Sequence, residues 1–186
     1  MFCAAMEIRE TEQADLAAMS RIHRAAFGGD DEAVLVRALL ADPSAGPILS
    51  LLAEDGAEAI GHVLFSAVAL VGANQGATAA ILAPLAVIPG RHGKGTGSAL
   101  VSAGLQRLTE RGTGLVFVFG DPAYYARFGF VAAEALGLAA PYPIAAEYVE
   151  AWRVRELADG LIGTVRGQLR CADTLSKPEL WNVGER

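Results

Sequence analysis

Hydrophobic positions change their period several times along the chain, and each change marks an element. Leu16, Met19, Ile22 and His23 recur at helical spacing after Thr11, an N-cap type of residue, so a helix is predicted over residues 12–26. Gly28-Gly29 ends it, and residues 30–41 read as a second, short helix. Residues 7–10 are predicted as a first strand. Residues 47–54 and 59–71 read as strands joined by a turn at Asp55-Gly56, and residues 72–76 as another turn before a strand at 79–88. The last three strands follow one another as a meander, which makes neighbours antiparallel.

The pattern then changes. Leu100, Val101, Leu105 and Leu108 mark one face of a helix that ends near Gly112, and residues 115–119 form a continuous apolar strand of the kind buried on both faces. Asp121-Pro122 pairs an N-cap residue with proline at the first helical position, and the short helix that follows stops at Gly129. A strand, loop, helix and strand in this order form a crossover that sets the two strands parallel. Beyond Phe130 the periodicity weakens. Pro141-Tyr142-Pro143 reads as a rigid connector, residues 148–155 and 161–170 as late strands, and residues 175–186 as a poorly ordered tail.

Composition narrows the class. A chain of 186 residues, 53% of them hydrophobic, suits one domain over residues 1–186 with a sizeable core. Its longest apolar runs are too short to cross a bilayer, and residues 1–10 carry Glu7 and Glu10 without a basic segment, unlike a signal peptide. Cys3 and Cys171 lie far apart, without metal-ligand spacing, so free thiols, no metal and a cytoplasmic setting are expected. A net charge of −6 argues against nucleic acid as partner. The apolar-rich composition points to a homodimer.

Chemistry concentrates at residues 81–100. An apolar strand runs into a loop with Gly93, Gly95 and Gly97 and then into a helix. Glycines let main-chain N–H groups approach a ligand closely, and a helix start adds unpaired N–H groups and a positive dipole end. Arg91, His92 and Lys94 surround the loop, so an anion, above all a phosphate, would be held there. A Rossmann fingerprint fails, because Ser98 or Leu100 stands where its last glycine or alanine belongs. A P-loop fails because Gly95 follows Gly93-Lys94. A tight strand-to-helix turn without a ligand is the other reading of the loop.

The run His92-Gly93-Lys94-Gly95-Thr96-Gly97 resembles the acyl-CoA loop of the GNAT superfamily of N-acetyltransferases, Gln/Arg-x-x-Gly-x-Gly/Ala, with His in place of the first residue. Tyr124-Tyr125-Ala126-Arg127-Phe128-Gly129-Phe130 resembles that superfamily's aromatic-Tyr-x-x-x-Gly-Phe segment and falls after the next strand, as it does there. Residues 82–130, with Pro84–Pro89 and Gly120–Tyr125, are similar to a subgroup of predicted acetyltransferases typified by bacterial YhbS. The core motifs lie at 79–131, with C-terminal strands and a tail over 132–186, and the resemblance weakens before residue 30 and after about residue 145.

The resemblance implies an α/β (α+β) GNAT-type acyl-CoA N-acyltransferase fold: a mixed central sheet with an antiparallel N-terminal half, splayed strands and flanking helices. It implies transfer of acetyl from acetyl-CoA, without metal, to a small-molecule or peptide amine by direct attack in a ternary complex. The alternative is a non-catalytic acyl-CoA-binding or regulatory module. Within this scheme the backbones of Leu85, Ala86 and Val87 face the pantetheine arm and thioester, beside an irregularity that Pro84 supports. The Val87 N–H is placed at the carbonyl oxygen. The amides of His92, Gly93, Lys94, Gly95, Thr96, Gly97 and Ser98 hold the pyrophosphate. Tyr125, four residues before Gly129, takes the general-acid position, with Tyr124 a lesser candidate or a core residue. The base is open: His62 is one candidate, Glu54 and His23 are weaker ones, and a water chain is another. Asp30, Asp31 and Glu32 are placed at the acceptor-side wall or at a solvated helix start, and Trp152, Tyr142 and Tyr148 at the acceptor pocket or in the core.

Overall fold

The protein is described here by a computed structural model covering residues 6–72 and 76–181. Its strands are β1 (Glu7–Glu10), β2 (Leu49–Asp55), β3 (Glu58–Val71), β4 (Ala79–Val87), β5 (Leu115–Phe119), β6 (Val131–Ala132), β7 (Leu138–Ala139), β8 (Trp152–Glu156) and β9 (Gly167–Arg170). The α-helices are α1 (Leu16–Phe27), α2 (Asp31–Ala41), α3 (Thr96–Glu110) and α4 (Pro122–Ala126). The main sheet runs β1-β2-β3-β4-β5-β8-β6, and β9 pairs with both the far end of β3 and β7. Within that main path only β4 and β5 are parallel, as the intervening helix requires. This is the mixed sheet with an antiparallel N-terminal half that the sequence predicts.

Strand alternation assigns each face of the sheet to a different set of helices. Leu115 and Phe117 of β5 join the core beneath α1 and α2 with Met19, Ile22 and Leu64. Val116 and Val118 join the opposite core beneath α3 with Leu100, Val101 and Leu105. The α3 helix lies close on β3: a Cβ on Gly104 would stand 2.3 Å from the Phe65 ring, so only glycine fits.

Helix starts follow local chemistry, with one correction. Asp121 accepts the Tyr124 N–H at 2.7 Å and Pro122 opens α4, as expected. Thr11 does not cap α1. Its hydroxyl donates to Ser50 Oγ at 2.8 Å, while Asp15 accepts the Glu12 N–H at 2.7 Å across a 3-10 turn at Gln13–Asp15. Arg9 bonds Asp15 at 2.7 Å and holds its carboxyl down at about 2.

The C-terminal third departs most from expectation. The strand expected over 148–155 begins at Trp152, after a 3-10 turn at Ala146–Ala151, and that expected over 161–170 shortens to Gly167–Arg170. The two-residue strands β6 and β7 are too short to carry a period. Residues 175–181 are not a loose tail: Leu175 and Trp181 are buried, and Trp181 stacks on Phe119 at 6.0 Å and meets Trp152 edge-on at 5.7 Å. Asp42 anchors the approach to this segment, accepting the Thr174 N–H and hydroxyl at 2.8 and 2.7 Å. Residues 182–186, Cys3 and most of the turn expected at 72–76 lie outside the described residues. Cys171 is a free, buried thiol whose pKa burial pushes up to about 12. Among the described residues no helix is long and apolar enough to cross a membrane.

Candidate active site

The site begins where two parallel strands part. β4 and β5 pair only from Ala79–Leu115 to Leu82–Val118, while β4 continues along β3 to Val87. The β3–β4 register slips between Val63 and Phe65, opposite Ala83-Pro84. Proline has no N–H for the ladder, so it sits where pairing is irregular. Past this slip, Ile88 N–H donates to Ile60 O at 3.0 Å. Antiparallel pairs alternate between bonded and non-bonded. His62–Ala86 is therefore a bonded pair, and Val63–Leu85 and Gly61–Val87 are not. The N–H groups of Leu85 and Val87 turn away from β3 toward the opening that β5 leaves, whereas those of Ala86 turn toward His62.

That opening is a cleft of about 810 Å³, bordered by residues 81–85 of β4, residues 118–121 after β5, Tyr124 and Tyr125. A second cavity of about 430 Å³ adjoins it and shares Leu85 and Tyr124. The second is bordered by Val87, Arg91, Arg127 and the loop from His92 to Ser98, Lys94 apart. Gly93 and Gly95 take φ of +72° and +85°, a region L side chains rarely enter. The N–H groups of Gly93, Gly95, Thr96, Gly97 and Ser98 have no backbone acceptor among the described residues. The His92 and Lys94 N–H groups are already bonded, to Pro89 O at 3.2 Å and Arg91 O at 3.4 Å. The cradle thus offers five open amides rather than seven. The His92 ring also looks inward, Nε2 donating to Val87 O at 2.7 Å.

Cations flank the cradle. Arg91 is tied to Asp55 at 2.6 Å, while the Arg127 guanidinium lies 4.5 Å from the centre of the Tyr124 ring. Open amides at the start of a 15-residue helix, with arginines on both sides, suit a diphosphate, and the strand gap suits a narrow amide chain. The residues present therefore fit CoA.

The two tyrosines take different places. Tyr125 is 7% exposed, edge-on to Tyr124 at 5.0 Å and Phe130 at 5.6 Å, and a Cβ on Gly120 would meet its ring at 2.6 Å. It borders the cleft. Burial pushes its pKa up, so the phenol stays protonated. Tyr124 is half-buried and borders both cavities; its hydroxyl would lie 2.7 Å from a Cβ on Gly97.

Of the base candidates, none reaches the cleft. His62 is fully buried, its Nδ1 2.8 Å from His23 Nε2 and its Nε2 2.8 Å from Ser50 Oγ, and it borders neither cavity. Glu54 pairs with Arg9 at 2.9 Å. Of the acceptor-wall residues, Asp30 pairs with Arg24, whereas Glu32 and Tyr148 border the cleft. Trp152 belongs to the core, donating from Nε1 to Leu138 O at 2.8 Å, and Tyr142 packs against that core. Sequence reasoning missed Phe27 and the wall formed by Leu175, Glu179, Leu180 and Trp181. Only the two leucines and the tryptophan, dense in apolar surface, hinted that residues 175–181 would be held against something.

Comparison with known proteins agrees with this geometry. The model of the acetyltransferase (GNAT) domain family matches residues 7–133. The chain is 41% identical to the "uncharacterized N-acetyltransferase" YjhQ of Escherichia coli K12 over 164 residues, 88% of this chain and 90% of that one. It is 36% identical to the E. coli "uncharacterized N-acetyltransferase" YhbS, over 87% of this chain and 93% of that one. The crystal structure of E. coli YhbS in complex with CoA superimposes with a TM-score of 0.85 at 32% identity, covering 95% of each chain. A GNAT family acetyltransferase from Brucella melitensis in complex with acetyl-CoA gives 0.72 at 28% identity, covering 92% of this chain and 99% of that one.

Proposed function

The chain belongs to the GNAT family of acetyltransferases, and on that premise we propose that it moves an acetyl group from acetyl-CoA to an amine held beside it in the same cleft. The observation that carries this reading is the continuity of the two cavities through Leu85 and Tyr124. One end offers phosphate-binding amides, and the other an opening between strands.

In this reading the amides of Gly93 and Gly95 to Ser98 hold the pyrophosphate, with Arg91 and Arg127 neutralising its charge. Main-chain groups of Leu85 and Val87 hold the pantetheine arm; those of Ala86 are committed to β3. When bound, acetyl-CoA supplies a thioester carbonyl activated toward an amine. The Val87 N–H, fixed in place by β3, is a preorganised donor to the oxygen on which negative charge gathers. Tyr125 keeps its proton and gives it to the departing sulfur. The buried His62 is not given the base role; the ammonium of the acceptor loses its proton to water in the cleft. Holding both partners at once removes the entropic cost of their meeting.

Acetyl-CoA should raise the melting temperature with the logarithm of its concentration above Kd, by about 2.7 kcal/mol of added stability at a hundred times Kd. Release of CoA thiol should then require an added amine. Absence of any shift at millimolar acetyl-CoA defeats the reading. Binding without transfer to any amine of a broad panel would favour the non-catalytic alternative.

A further inference from the structure

The acceptor end of the cleft has a chemistry of its own. Phe27 ends α1, and Glu32 and Leu35 stand one turn apart on α2, so their side chains share a face. Leu180 and Trp181 close the opposite side. Phe27 is 49% exposed, a large apolar surface left uncovered at the cleft edge. Among the described residues no lysine, arginine or histidine borders this cleft, and the charged ones that do are Glu32, Asp121 and Glu179. Asp121 is occupied as the cap of α4. Glu32 and Glu179 have no ion-pair partner among the described residues. Among the described residues the adjoining cavity is bordered by Arg127 and by Arg91, which is paired with Asp55, and by no carboxylate.

From this polarity, and resting on the acetyl-transfer reading above, we infer that the acceptor is a small primary amine carried on an apolar body, aromatic or alkyl, that bears no carboxylate or phosphate. The ammonium is drawn to Glu32 and Glu179, and the body covers Phe27, Leu35 and Trp181. An amino acid or a sugar phosphate would bring its anion against two carboxylates with no cation among the described residues to meet it. In the transfer itself the amine nitrogen forms a bond to the acetyl carbon and the carbon–sulfur bond breaks. The nitrogen's surplus proton goes to water, the sulfur takes one from Tyr125, and water in the cleft returns a proton to the phenol.

Paired acceptors test the inference, with thiol release as the readout: 2-phenylethylamine against phenylalanine, and hexylamine against 6-aminohexanoate. The carboxylate-free member should win each pair by about a hundredfold or more in kcat/KM, the size expected when like charges are brought together. In the double variant Glu32→Gln, Glu179→Gln that ratio should shrink at least about tenfold through KM for the amine. Acetyl-CoA affinity, measured by calorimetry, should stay unchanged. Equal or better turnover of phenylalanine overturns the inference. So does a protein that binds acetyl-CoA yet acetylates none of these amines, or only glucosamine 6-phosphate or a peptide lysine. These last outcomes leave the acetyl-CoA site standing, whereas failure to bind acetyl-CoA removes that reading as well.

Discussion

His23 and His62 meet nitrogen to nitrogen, Nε2 to Nδ1 at 2.8 Å, with neither ring exposed to solvent. Burial lowers the pKa of both, and for His62 the proximity of His23 lowers it further. Both are therefore neutral in the fold at neutral pH, while in the unfolded chain they titrate near 6.5. Below that pH the unfolded state takes up protons that the native state refuses, so stability falls as pH falls. The loss begins near 6.5 and costs up to about 1.4 kcal/mol per pH unit for each ring until the native rings titrate. Urea melts between pH 7 and 4.5 should show this slope. The double variant His23→Leu, His62→Leu should flatten it, and an unchanged slope would show that these rings are not its source.

Tyr125→Phe removes one hydroxyl and keeps the ring that packs against Tyr124 and Phe130, so folding should be nearly unaffected. Turnover should fall about 10²- to 10⁴-fold, the usual worth of a positioned acid. Acetyl-CoA affinity should stay within about twofold, because a group that acts only in the transition state adds little to ground-state binding. Stopped-flow or steady-state thiol release, with calorimetry beside it, separates the two quantities. A variant as fast as the parent would strip Tyr125 of the role.

At Gly97 the expected effect is steric and coupled to one partner. A methyl there would stand 2.7 Å from the Tyr124 hydroxyl but 3.9 Å from Cζ. Edge contact with Tyr125 and the Arg127 guanidinium hold the Tyr124 ring in place. Gly97→Ala should therefore weaken CoA binding about tenfold, equivalent to about 1.4 kcal/mol. Adding Tyr124→Phe should recover most of that loss, and strictly additive effects in the cycle would refute the coupling.

Trp181→Ala should cost about 3–5 kcal/mol of stability, as for a large aromatic lost from a core. Its ring is 4% exposed and stacked on Phe119, and its Nε1 donates to Leu175 O at 3.0 Å. A urea midpoint equal to that of the parent would mean that residues 175–181 do not fold as part of the core. Acceptor KM should rise as well, since this ring borders the cleft.

Local chemistry carried much of the fold. The meander of β2, β3 and β4, the parallel pairing of β4 with β5, the Asp121 cap and the glycine loop all depend on residues close in sequence, so period and turn type reveal them. The loop's amides were legible for the same reason, although which remain open required the bonds from His92 N–H to Pro89 and from Lys94 N–H to Arg91. Two-residue strands such as β6 offer no period to read. The expectation for Thr11 went astray because its hydroxyl met Ser50, 39 residues away, before it could serve a helix.

The sequence by itself determined where the backbone turns, where helices start and where an anion would be cradled, because glycine, proline and capping side chains act on their neighbours. Tertiary structure alone decided that His62 is sealed against His23, that Trp181 closes the cleft and that Glu32 and Glu179 face it together. Those meetings join residues separated by tens of positions, and only the packing of whole elements on the twisted sheet brings them within reach.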